Sequence, residues 1–148
     1  MTKESPIKHL VVYADDDPDD LDLVEEAFSQ YSVHVDLIKF QNGEEALDYL
    51  RNHLHDEIKP CLIILDINMP GMSGKEVLIR LRGMDRFLEI PVVMFTTSSS
   101  SKDIEFARRH KAGFITKPLD ISQMELIAEK FIDHCAEDIR KKIRTEIK

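Results

Sequence analysis

Cys61-Leu62-Ile63-Ile64-Leu65-Asp66-Ile67-Asn68-Met69-Pro70-Gly71-Met72-Ser73-Gly74 decides the fold. An unbroken apolar run ends in a carboxylate, and a turn of Asn, Pro, Gly and Ser follows at once. A short run bounded in this way reads as a strand buried on both faces. The same grammar recurs along the chain. Leu10-Val11-Val12-Tyr13-Ala14 ends in Asp15-Asp16-Asp17, Val92-Val93-Met94-Phe95 ends in Thr96, and Phe114-Ile115-Thr116 ends in Lys117-Pro118. Four strand candidates thus deliver carboxylates, a hydroxyl and an amine to their C-terminal ends. In an open α/β sheet those ends line the crevice where ligands bind.

Helical patterns fill the intervals. The first strand spans 8–14. Asp17-Pro18 then breaks it, and Pro18 opens a helix whose inner face carries Leu21, Val24 and Phe28. A second strand follows over 33–40, and Asn42-Gly43 turns into a helix with Ala46, Leu47 and Leu50. A polar loop is expected over 51–60, the third strand over 61–65, a helix near 73–84 and the fourth strand over 92–95. Ser98 to Ser101 can cap a helix near 102–111, the fifth strand spans 113–116, and a final helix runs from about 121 into the 140s. Strand and helix alternate five times. The expectation is an α/β fold with a doubly wound five-stranded parallel sheet.

The composition of the 148 residues bounds the function classes. Apolar content is 43% and charged content 32%, as in a water-facing globular domain with one core. A net charge of -8 argues against a nucleic-acid surface, which needs a basic stripe. No apolar stretch is long enough for a transmembrane helix, and no apolar leader opens the chain, so no membrane role and a cytoplasmic location are expected. Cys61 and Cys135 lie in apolar surroundings and read as buried free thiols of a reducing compartment. His34, His53 and His55 show no ligand spacing.

Asp15, Asp16 and Asp66 on two strand ends crowd negative charge, which a divalent ion resolves. Magnesium suits oxygen donors and uses one or two carboxylates; manganese is an alternative. Helix capping accounts for Asp17 and Asp19 but not for Asp66 on a separate strand. Lys117 could pair with an acyl-phosphate oxygen and Thr96 could hydrogen-bond another, with Asp66 as the attacking group. There is no Walker loop, EF-hand glycine or dinucleotide fingerprint.

These motifs, Val12 to Pro18, Leu65 to Gly74, Phe95-Thr96-Thr97 and Phe114 to Pro118, closely resemble a response-regulator receiver domain of two-component signalling over residues 7–135. The resemblance implies the CheY-like strand order 2-1-3-4-5. By motif, Asp66 resembles the phospho-acceptor, Asp16 a direct magnesium ligand, and Asp15 an acidic partner acting mostly through water. The backbone carbonyl of Asn68 resembles the third protein ligand. Thr96 and Phe114 occupy the switch positions, and Lys117 that of the lysine contacting the phosphoryl group. The implied partners are a sensor histidine kinase or a histidine phosphotransfer protein, and an unknown downstream protein that reads the altered face near 102–122. Asn68 and Ser98 fall where side chains tune hydrolysis, and neither is a strong general base.

Residues 1–6 are expected as a tail and 136–148 as an extension of the last helix or a charged tail. No output domain pattern follows residue 135, so a stand-alone regulator is expected, similar to small regulators paired with phytochrome-type photoreceptors. Ile127, Phe131, Cys135, Ile139, Ile143 and Ile147 recur every four residues, which suits either a packed terminal helix or a homodimer contact. Two rivals stand beside the signalling reading. A dehalogenase-like phosphatase would need a second aspartate where Asn68 stands. A phosphorylation-independent binding module would not need the complete acidic pair, acceptor, hydroxyl and lysine.

Overall fold

The computed structural model describes residues 8–145, with Thr145 by its backbone alone. Five parallel strands form one sheet in the order β2-β1-β3-β4-β5. They are β1 (His9–Ala14), β2 (Val35–Phe40), β3 (Leu62–Leu65), β4 (Val92–Thr96) and β5 (Gly113–Thr116). The expected fold class and strand order are those found. The helices are α1 (Pro18–Phe28), α2 (Gly43–Asp48), α3 (Gly74–Arg82), α4 (Ser101–Arg109), α5 (Ile121–Met124), α6 (Ile127–Ile132) and α7 (Glu137–Thr145).

Strand side chains alternate between the two faces. Val11, Tyr13, Leu62, Ile64, Val93 and Phe95 join Val24, Phe28 and Phe131 in one core, roofed by α1 and α6. Val12, Ala14, Ile63, Leu65, Val92 and Met94 join Leu47, Val77, Leu78 and Leu81 in the other, roofed by α2 and α3. Both faces are covered, so the inner strands are apolar at successive rather than alternate positions, apart from His9 and Thr96 at their ends.

Two local expectations are corrected. The loop predicted over 51–60 begins only at Leu54, because 51–53 complete a helical turn. The chain leaves α2 through a wide π turn, Tyr49–His53, and Leu54 and Pro60 are buried. Arg86 holds this stretch by donating to the carbonyls of Leu54 and Ile58. The predicted long last helix is three helices. The chain turns over 133–136, where the Cys135 amide bonds the Ile132 carbonyl, and α7 doubles back along α6. Arg144 fastens the return by donating to the Glu129 carbonyl at 3.0 Å and to Asp133 at 2.7 Å. A single helix would carry a four-residue stripe steadily around its surface, because the helical period is 3.6. The turn instead returns Ile143 to the core that holds Phe131, with both fully buried and Ile139 packed against that core. Ile147 and the tail at 1–6 lie outside the described residues. Among the described residues, no helix is long and apolar enough to cross a membrane.

Cys61 and Cys135, distant in sequence, meet in the α1/α6 core as hydrogen-bonded free thiols. That bond and burial push the Cys61 thiol well above the usual range.

Candidate functional site

The strand ladders continue one residue past the strands and so fix three functional backbones. The Asp15 amide bonds the Phe40 carbonyl at 3.0 Å, Asp66 that of Ala14 at 3.0 Å, and Lys117 that of Thr96 at 2.7 Å. Asp15, Asp66 and Lys117 therefore emerge side by side at the C-terminal edge of the sheet. The turn after Asp66 is shaped by two glycines. Gly71 has φ +77°, a region that disfavours other residues. Gly74 begins α3 so close to the strand end that a Cβ there would lie 2.1 Å from the Asp66 carbonyl oxygen.

The side chains converge. Oxygens of Asp15, Asp16 and Asp66 lie within 4.8 Å of one another. Asp15 and Asp66 are buried and Asp16 is exposed. Lys117 Nζ donates to Asp66 Oδ2 at 3.2 Å and to Asp20 Oδ2 at 2.8 Å, and lies 2.9 Å from Asp15 Oδ2. The Asn68 amide donates to Asp66 Oδ1 at 3.2 Å. Asp15 is held from the far side: its Oδ2 accepts from the buried Tyr13 hydroxyl at 2.5 Å and its Oδ1 from the Asp17 amide at 3.0 Å. Beneath the site an aromatic column, Tyr13–Phe95–Phe131–Phe28, runs down into the α1/α6 core, with Lys117 Nζ 5.6 Å above the Phe95 ring.

The electrostatics follow from burial without full compensation. Burial, reinforced by the charge of Asp15, raises the Asp66 pKa to about 7; the neighbouring ammonium opposes this but does not cancel it. Burial pulls the Lys117 ammonium down. The hydrogen bonds to Asp20 and Asp15 and the surrounding carboxylate charges outweigh that and hold it above the ordinary lysine value. Burial pushes the Tyr13 phenol up, so it stays protonated as the donor to Asp15.

This donor set fits a hard divalent cation. It is all oxygen and anionic, with one exposed member, Asp16, and two buried ones, and a single ammonium leaves it formally short of positive charge. Thr96 ends β4, fully buried, and its hydroxyl oxygen accepts from the Ser98 amide at 3.3 Å. Phe114, on edge strand β5, is half-buried against the α2/α3 core. Asn68 is exposed at the rim.

Two participants escaped the sequence reading. Asp20 belongs to an acidic run that capping explains as a whole, and Tyr13 counts as one more apolar residue in a strand. The signal for Asp20 was its place at the third position of α1. An acid there commonly reaches back to the amide of the N-cap residue. Here the N-cap is Asp17, and its amide is already taken by Asp15.

Residues 11–129 match the family model for the response regulator receiver domain. The chain is 30% identical over 127 residues to response regulator Rcp1 of Synechocystis sp., covering 84% of this chain and 86% of that protein. Among solved structures it is similar to the phosphorylated cyanobacterial phytochrome response regulator RcpA, with a TM-score of 0.79, 28% identity and coverage of 88% and 96%. It is also similar to the Mn(2+)-bound form of response regulator Rcp1, with a TM-score of 0.74, 25% identity and coverage of 82% and 90%.

Proposed function

The chain belongs to the response regulator receiver domain family of two-component signalling, and from that premise we propose that Asp66 accepts a phosphoryl group from a histidine kinase or a histidine phosphotransfer protein and that a protein partner reads the result. The observation that carries this reading is the Asp66 carboxylate itself. It is buried at a strand end, 3.2 Å from the Lys117 ammonium, with oxygens of Asp15 and Asp16 close by.

Receiver domains bind a divalent metal at an acidic pocket, and the carboxylates here fit one. For this chain we take the ion to be magnesium, with manganese as a substitute. Asp16, Asp66 and the Asn68 carbonyl would hold it, and Asp15 would act mostly through water. When bound, it supplies positive charge that neutralises phosphoryl oxygens.

The chain's own residues do the rest. An Asp66 oxygen attacks phosphorus in line with the phosphohistidine nitrogen. The P–N bond breaks, its electron pair stays on the imidazole, and an acyl phosphate forms on Asp66. Lys117 donates an N–H to the phosphoryl group that now shares Asp66. The Thr96 hydroxyl moves toward another phosphoryl oxygen, and the space it leaves admits Phe114, whose half-buried ring suits movement between two positions. The face over 102–122 changes with them. Water attack on phosphorus reverses the state slowly, because neither Asn68 nor Ser98 is a strong general base. The chain is accordingly a signalling protein rather than a turnover enzyme. A cytoplasmic location is consistent with its two free thiols.

The test is intact mass after incubation with acetyl phosphate. The reading predicts one added phosphoryl group with magnesium, none with EDTA, and none in Asp66→Asn. No gain from acetyl phosphate or from any histidine kinase tried would leave a binding module that keeps the receiver shape without its switch.

A further inference from the structure

Of the acidic run Asp15 to Asp20, one member is not accounted for by capping or by the proposed metal site. Asp17 caps α1, accepting from the Asp19 amide at 2.9 Å. Asp15 and Asp16 face the crevice. Asp20 does neither. Its side chain is largely covered, 18% exposed, and its Oδ2 lies 2.8 Å from Lys117 Nζ across 97 residues of sequence. That is the shortest of the three contacts the ammonium makes; the others are 2.9 Å to Asp15 and 3.2 Å to Asp66.

An ammonium has three N–H donors. Three carboxylates surround this one, so each donor has a claimant. Asp15 has two partners besides the lysine, the Tyr13 hydroxyl and the Asp17 amide. Among the described residues, Lys117 is the hydrogen-bond partner of Asp20. The pair is therefore specific: Asp20 draws Lys117 toward α1, and it adds a fourth carboxylate to a cluster that is already anionic.

We propose that Asp20 is a positioning residue that sets the balance between the resting and phosphorylated arrangements by holding Lys117 and by adding its charge to the site. This rests on the phosphoryl-acceptor reading above. Its charge strengthens the hold on a divalent cation. The same charge, and its claim on a Lys117 donor, oppose an anionic phosphoryl group on Asp66. The two effects have opposite signs, which separates them from a brace that merely keeps the site folded. A unit charge a few ångströms away, even at the full screening of water, corresponds to roughly a three- to tenfold change in affinity.

The experiment compares the full chain with Asp20→Asn and Asp20→Glu. Magnesium affinity is measured by titration calorimetry. Affinity for beryllofluoride, which mimics the acyl phosphoryl group, is measured by fluorine NMR at saturating magnesium. Asp20→Asn is expected to bind magnesium about three- to tenfold more weakly and beryllofluoride about three- to tenfold more tightly. Asp20→Glu, whose carboxylate can still reach Lys117, is expected to track the parent. Weakening of both ligands together would overturn the proposal in favour of a structural brace, and so would no change in either. Beryllofluoride that fails to bind the parent, or that binds Asp66→Asn equally well, would instead overturn the acceptor reading on which the proposal stands.

Discussion

Asp66 is a carboxylate held among carboxylates, and its pKa of about 7 makes it a pH-dependent stability term in the metal-free chain. The folded value lies above the ordinary one, so the folded state binds the extra proton across the window between them. Stability is then full below about pH 4 and falls as pH rises through about 7. Asp66→Asn removes the charge that causes the loss. Denaturation in EDTA is expected to show the variant more stable than the parent by on the order of 2 kcal/mol at pH 8, with the gap narrowing at pH 5 and closing only below about pH 4. An equal gap at both pH values would contradict the assignment. At this scale Asp15, Asp16, Asp66, Thr96 and Lys117 were legible because a polar residue ending an apolar run has one place to go in a parallel sheet. Asp20 and Tyr13 were not. An acid in a helix's first turn and a tyrosine in a buried strand each have an ordinary explanation, and only the third dimension shows that they meet Lys117 and Asp15.

The α3 N-terminus is the element that presses on the acceptor. A methyl at Gly74 would meet backbone, the Asp66 carbonyl oxygen at 2.1 Å and the Ile67 Cα at 3.1 Å, and neither can swing aside as a side chain would. Gly74→Ala is expected to cost about 2 kcal/mol or more and to displace Asp66, lowering phosphoryl acceptance alongside melting temperature. An alanine variant with parent-like stability and acceptance would show that α3 can shift freely. Strands and helices through α4 were legible to within a residue or two, since apolar runs, Pro18 and the serine caps mark their ends. The last helix was not. A four-residue apolar spacing is shared by one long helix and by two helices folded together, and Arg144, which fastens the fold-back, looks in sequence like any charge in a polar tail.

Across the whole molecule, the sheet is closed on one side by α1, α6 and the returning α7, and on the other by α2, α3 and α4. The stripe that in sequence could have served a second subunit is largely spent inside this chain: Ile127, Phe131, Cys135 and Ile143 are buried. Ile143→Ala is accordingly expected to destabilise the chain by about 2–4 kcal/mol, against under about 0.5 kcal/mol for the exposed Lys142→Ala, by urea denaturation. Equal, small effects would mean that α7 does not dock. That core holds the strand ends in register, and the register brings Asp66, Asp15 and Lys117 together. The most direct test of the central claim is to find the acyl phosphate. The chain is charged with acetyl phosphate and magnesium, reduced with borohydride, which converts an aspartyl phosphate to homoserine, and digested for peptide mass analysis. The account predicts homoserine at position 66 alone. Homoserine at Asp15, Asp16 or Asp20, or a phosphorylated chain with none at position 66, would contradict it.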